Sequence, residues 1–334
     1  MGKEGRAFMK KVKTVSDRQR RIERALGDNG FKIFRYFILT GLSFVILLPL
    51  LTLLTDCIKP SEEVFDAITV YLSRQPTFEN IKNAYVAMDY FPSLLRTAML
   101  IIPCVVFQLI SCSLAGYGFA RFKFPGKNIL FGLLIFLVIV PPQVVGMPTF
   151  IYYRNFDFLG IGHLIGLFTG EPATVSLIDS VWSMYIPALF GCGIRAALFI
   201  YIFNQFYKGL PKDLEEAAYI DGCGHLRTFY SIILPNAIPV LVTVMLFSVV
   251  WYYNDTYYSG MFLSQFRTAS ISLMGVPDAI SNLVSTHFMV MTNPYEGILA
   301  QKAAGLLFIL PLIIIYLPLQ KLFIESVDRS GIVG

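Results

Sequence analysis

The sequence predicts an all-α polytopic membrane protein of about six transmembrane helices, and three observations carry that prediction. Of 334 residues, 55% are hydrophobic and only 15% charged, where soluble domains average about 25% charged. The mean hydropathy is +0.63. Six stretches are also long and apolar enough to cross lipid, which takes about 20 residues each.

In chain order the stretches are 34–54, 94–117, 129–152, 182–206, 237–257 and 304–323. Each contains or opens near a proline, namely Pro49, Pro103, Pro141, Pro187, Pro239 and Pro311. A proline removes one helix hydrogen bond, so a kinked bundle is expected rather than straight rods. Residues 1–33 form a basic tail with Lys3, Arg6, Lys10, Lys11, Lys13, Arg18, Arg20, Arg21, Arg24 and Lys32, and a second basic cluster, Arg121, Lys123 and Lys127, follows the second stretch. Basic residues stay on the cytoplasmic side, so both clusters and both termini are expected there. The domain reading is therefore a tail to 33, a first helix and extracytoplasmic loop over 34–90, a core over 91–325 with a cytoplasmic connection at 207–236, and a tail from 326. The net charge of +5 is largely this inside bias. No basic patch with interleaved aromatics accompanies the tail, so nucleic acid is not an expected partner.

Several classes are excluded on the residues. The apolar run after the tail is too long for a signal peptide, and Asp56 stands where a peptidase needs a small residue. Five scattered cysteines, Cys57, Cys104, Cys112, Cys192 and Cys223, form no CxxC pair, and His163, His225 and His287 are far apart, so neither a disulfide framework nor a metal site is expected. GxSxG, Walker A and Gly-rich phosphate loops are absent. The chain is not expected to be an enzyme.

The polar interruption EAAYIDGCGHLRTFYSIILPNAIP begins at Glu216. Pro211 suits a first helical turn, Asp213, Glu215 and Glu216 suit its positive end, and Gly222 offers a left-handed stop. Leu214, Ala217, Ala218 and Asp221 fall at i, i+3, i+4 and i+7, which predicts one narrow docking face. A second helix is expected from His225 until Pro235, so the pair makes a projecting knob.

The spacing of this segment resembles the cytoplasmic signature of permease subunits of binding-protein-dependent ABC importers: EAA, three residues, Gly, nine residues, Ile, one residue, Leu, Pro. Glu216, Ala217, Ala218, Gly222, Ile232, Leu234 and Pro235 occupy every position. AGYGFARFKFPGK at 115–127 and YLPLQKLF with Gln320 are similar to segments of the carbohydrate-uptake, maltose-type branch. The resemblance covers about residues 91 to 325 and departs from the branch in the ending SVDRSGIVG and in an enlarged segment at 157–179. It implies a MetI-like architecture in a prokaryotic cell membrane and a translocation pathway shared with a second, homologous permease. It further implies a cytosolic ATP-binding subunit dimer that uses ATP and Mg, with no cofactor bound by this chain, and an extracytoplasmic solute-binding protein that delivers a sugar. By that resemblance Glu216 makes a polar contact in the ATPase groove, Ala217 and Ala218 allow close fit, Gly222 makes the turn, and Asp221 caps or braces the second helix.

Candidate pathway residues come from the spans. Arg195 lies inside the fourth stretch, where a charge costs roughly 2.5 to 3.5 kcal/mol on insertion scales, and it lines a cavity or pairs between spans. Gln108, Gln143 and Asn204 bond either a sugar or a neighbouring helix. Trp251, Asn254 and Asp255 sit in an aromatic and polar cluster that suits sugars and equally suits an interfacial belt. An importer of peptides, amino acids or metal complexes is the alternative, and the segments around Arg121 and Gln320 argue against it. A secondary transporter needs intramembrane carboxylates, and the span interiors essentially lack them.

Overall fold

The computed structural model describes residues 31–66, 73–170, 173–288 and 294–331. The basic tail lies almost wholly outside these residues, as do the last three positions. The described chain divides into two compact units, one ending at Pro76 and one beginning at Thr77.

The first unit is built on α1 (Phe31–Cys57), with 27 residues and no buried position in its apolar window. Exposed Phe37 and Ile46 would be costly in water but match the hydrocarbon of a bilayer. After the helix, Lys59 pairs with Asp56 at 3.2 Å. The Glu63 carboxylate then accepts from Ser73 Oγ, Arg74 N and Gln75 N, tying the returning strand of loop to the helix end.

The second unit carries α2 (Glu79–Ala87), α3 (Tyr90–Arg121), α4 (Lys127–Ile139), α5 (Pro142–Arg154), α6 (Ile161–Thr169), α7 (Trp182–Leu189), α8 (Ala196–Gly209) and α9 (Asp213–Ile220). It continues with α10 (His225–Asn236), α11 (Ile238–Tyr253), α12 (Tyr257–Phe262), α13 (Ala269–Met274), α14 (Val276–Phe288) and α15 (Pro294–Gly331). Strands are absent among the described residues apart from one isolated bridge, Phe156 to Val175. The last helix runs on through the residues expected to form a separate tail from 326.

Length and composition of the described helices do not confirm the count of six spans. Three helices are long and apolar enough to cross a membrane, and two bent pairs bring the number to five among the described residues. The third expected stretch is one of those pairs: α4 and α5 meet at 104°. Its cause is local, since Pro141 and Pro142 hold Val140 and Pro141 at ψ 122° and 138°, outside the helical range. α10 and α11 meet at 79° around Ala237, with Pro239 in the first turn of α11, where a missing N–H costs nothing. The fourth stretch is not a continuous helix at all, because α7 stops at Leu189 and α8 starts at Ala196.

α3 is the axis of the unit. At about 1.5 Å per residue its 32 residues span about 48 Å, and it packs along α8, α7 and α11. Lipid tails give no hydrophobic drive for helix association, so small residues and polar bonds set the contact. Gly116 shows this: a Cβ there would lie 2.5 Å from Phe203 Cβ, and its carbonyl accepts from Asn204 Nδ2 at 3.4 Å. One turn away, Ser113 Oγ and Tyr207 OH are 2.6 Å apart, both buried. Phe199, Phe203, Tyr207, Phe229 and Ile233 fill the core around them.

Candidate coupling segment and the break at residues 190–195

The connection between α8 and α11 forms two helices, as expected, at the Arg121 end of the bundle. α9 starts at Asp213, two residues after Pro211, with Asp213, Glu215 and Glu216 in its first turn. Gly222 takes φ +81°, a conformation that a side chain rarely adopts, and turns the chain. α10 is continuous from His225 but passes through a π turn at Phe229–Ile233 before Pro235, whose missing N–H interrupts the regular ladder.

The face expected of α9 does not exist as one face. Ala218 is 2% exposed and Glu215 7% exposed, so both point into the protein, while Glu216, Ala217 and Asp221 are exposed. Ala218 therefore fits closely against this chain's own bundle. The exposed side presents Ile220, 86% exposed, together with Leu226 and Tyr230 of α10. Gly224, the N-cap of α10, receives no side-chain cap, and His225 Nδ1 meets Tyr219 OH at 2.9 Å.

Sequence reasoning missed what holds α9 in place. The Arg121 Nε lies 2.7 Å from Glu215 Oε1, with both side chains more than nine-tenths buried. The contact is an ion pair rather than an aligned hydrogen bond. Arg121 Nη2 donates to the Leu210 carbonyl at 2.8 Å. Glu215 was passed over because a carboxylate in a first turn reads as a dipole partner, and only the fold shows that α3 ends beside it.

The second arrangement is the gap between α7 and α8. Arg195 has φ +59° and opens α8. Its guanidinium carbon stands 4.5 Å from the Trp251 ring centroid, and among the described residues no carboxylate comes within ion-pair distance of it. Of the two sequence alternatives, an ion pair is not seen among the described residues; the cation lies on an aromatic face, a contact worth about 0.5 to 2 kcal/mol according to desolvation. Gln108 lies beneath, fully buried, about 20 Å along α3 from Arg121. Its Nε2 donates to the Ile194 carbonyl at 2.9 Å and to Ser248 Oγ at 3.3 Å, and its Oε1 accepts from Tyr252 OH at 2.7 Å. Tyr252 OH also accepts from Ile194 N at 3.3 Å. Gly193 makes this approach feasible, since a Cβ would meet Tyr252 OH at 2.4 Å and Gln108 Oε1 at 2.5 Å.

Of the other candidates, Asn254 is exposed and donates to Val250 O of its own helix. The Asp255 carboxylate accepts from Tyr258 N, Ser259 N and Ser259 Oγ, which caps α12. Asn204 faces Gly116, and Gln143 is exposed at the α4–α5 bend. The structure thus brings together Gln108, Arg195 and Trp251.

Residues 112–329 match the family of binding-protein-dependent transport system inner membrane components. The chain belongs to this family. Relatives include a probable ABC transporter permease of Pyrococcus horikoshii, 29% identical over 241 residues, covering 70% of this chain and 78% of that protein. The arabinooligosaccharide transport system permease AraQ of Bacillus subtilis is 27% identical, with 88% and 92% covered. The maltodextrin transport system permease MdxG of the same organism is 26% identical, with 91% and 96% covered. The fold is shared with a bacterial ABC transporter that imports the acidic polysaccharide alginate, at a TM-score of 0.60, 18% identity, and 88% and 97% coverage. The protein is an all-helical, MetI-like, carbohydrate-type ABC importer permease, and hence a multi-pass inner-membrane protein.

Proposed function

We propose that this permease forms half of an ATP-driven translocation pathway for an oligosaccharide, completed by a second, homologous permease. A solute-binding protein delivers the sugar from outside. On the cytosolic side, where both termini of the chain lie, a dimer of ATP-binding subunits hydrolyses ATP with the help of Mg and receives the α9–α10 knob in a groove. The observation that carries this reading is the exposed edge of α9: Glu216, Ala217 and Ile220 stand out at the one polar interruption whose spacing matches the signature at every position. The arabinooligosaccharide and maltodextrin transport of the Bacillus relatives supports the sugar class.

In mechanism, nucleotide binding closes the ATPase dimer, and the groove carries the knob with it. A ligand shifts a two-state equilibrium only through contacts that differ between the states, and a docked helix supplies them. Glu216 bonds within the groove, Ala217 permits close approach, and Gly222 holds the turn that separates the two helices. In the pathway, Arg195 and Trp251 face the sugar as donor fork and flat ring, and Gln108, already satisfied by Ile194, Ser248 and Tyr252, holds that wall rigid.

Co-purification tests the docking. Glu216→Ala is expected to reduce recovery of the ATPase subunit with the permease at least several-fold while membrane insertion of the permease stays at wild-type level. Unchanged recovery together with unchanged uptake would remove the knob from the mechanism.

A further inference from the structure

The Arg121 to Glu215 pair lies outside the docking face and outside the pathway, yet it is buried and bridges two elements. Arg121 is the last residue of α3, the axis that carries Gln108 and the wall of the break. Its guanidinium holds two points of the following elbow: the Leu210 carbonyl, where α8 ends, and the Glu215 carboxylate, in the first turn of α9. The elbow itself is a weak joint by composition. Gly209 closes α8, Leu210 is extended with ψ 139°, and Pro211 can donate no backbone bond. Left alone, such a joint would bend when α9 is pushed, and the push would not reach the spans.

We infer that Arg121 is a positioning residue that locks the α8–α9 elbow, so that α3, α8 and α9 move as one lever between the ATPase-facing edge and the break at 190–195. The lock is electrostatic because a buried charge that loses its partner is left uncompensated, which makes the closed elbow a steep minimum. α3 and α8 are already joined along their length by the Gly116 contact with Phe203, the Ser113 to Tyr207 bond and the Gln108 to Ile194 bond. Only the elbow needed fastening. The role rests on the docking reading above for its purpose, but the rigidity it asserts belongs to this chain alone.

Distance measurement between spin labels reads that rigidity directly. Labels are placed at Ile110→Cys on α3 and Leu214→Cys on α9, both exposed and the latter off the Glu216, Ala217 and Ile220 edge, in a background with Cys192 and Cys223 replaced by serine; the remaining three cysteines are buried. In the complex purified from its own membrane, one narrow distance population is expected, unchanged by Mg-ATP. Arg121→Gln and Glu215→Gln are each expected to broaden it at least twofold, the double variant to be no broader than either, and Arg121→Lys to fall between. ATP hydrolysis by the retained subunits should persist in these variants while uptake falls about tenfold or more. Narrow populations in both glutamine variants, or a wild-type distance that itself shifts with Mg-ATP, would overturn the lock. Glu216→Ala separates this from the docking reading: retained ATPase in that variant defeats the docking while leaving the distance result untouched.

Discussion

The knob at 213–236 and the break at 190–195 both interrupt apolar helices, and they do so with opposite chemistry. The knob turns its polar signature outward and fastens itself by one buried ion pair, Arg121 with Glu215. The break turns its polar groups inward and is held by neutral hydrogen bonds around Gln108, with its single cation left on the Trp251 face. The difference teaches where charge is tolerated. At the end of α3 the buried guanidinium and carboxylate compensate each other and the Leu210 carbonyl, whereas midway along α3 each unsatisfied polar group costs several kcal/mol, so amide, hydroxyl and backbone satisfy one another.

The sharpest way to break that contrast is Gly193→Leu. Its Cβ has no room against Tyr252 OH, Gln108 Oε1 or the Ala188 Cα at 3.1 Å, so the break cannot close. Loss of most folded permease, read as monodisperse yield in detergent, is expected. Wild-type yield would show that the break does not pack as described. Gln108→Ala comes next. It strands Tyr252 OH and Ile194 O, at about 1 to 3 kcal/mol for each buried group left unpaired, and should lower the melting temperature by several degrees.

At the knob the largest effect belongs to Gly222→Val. There is open space at the position, so the penalty is purely the φ of +81° imposed on a β-branched residue. Yield should stay near wild type while ATPase recovery falls more than in Glu216→Ala. Wild-type recovery in Gly222→Val would mean that the turn contributes nothing to docking. Arg195→Ala should be milder for the fold, because only a cation on a ring is lost, yet should depress uptake relative to Lys82→Ala. Uptake equal to that of Lys82→Ala would take Arg195 off the pathway.

The smallest effect sharpens the contrast from outside both regions. Asp179 is held below the usual carboxylate range first by the Gln265 N–H and then by the Ser264 hydroxyl, which fasten the turn before α7 to the loop after α12. A lowered value means that the folded state is favoured while the carboxylate is ionised, above an unfolded value of about 3.9, and that this contribution fades as pH falls through the folded value. Asp179→Asn should therefore lower the melting temperature slightly at pH 7, with the difference shrinking below about pH 4. A difference constant across that range would assign the effect to shape rather than charge.

Much of the knob was legible in the residues. Signature spacing, the acidic first turn and the left-handed glycine are local properties, and all of them appear at α9 and Gly222. Its face was misjudged because Ala218 and Ala217 are identical in sequence terms, and only the neighbour α3 decides which one is buried. The break was read as a continuous span. Apolar composition alone carries no mark of where a helix stops, and glycines such as Gly191 and Gly193 are frequent in membrane helices generally. Gly191 at φ +70° and Arg195 at φ +59° became informative only beside Gln108 and Tyr252.

What the sequence by itself determined was the class of molecule: all-helical, rich in apolar helices, bent at Pro141–Pro142 and beside Pro239, and carrying a signature at one polar connection. Those properties follow from hydrophobicity, backbone chemistry and short-range spacing, each readable within a few turns of chain. Tertiary structure alone decided that Arg121 meets Glu215 across 94 positions of chain, and that Gln108 meets Tyr252 across 144. A long-range polar contact depends on which helices pack side by side, and in lipid that choice is made by close approach at residues such as Gly116, whose meaning exists only once Phe203 lies against it.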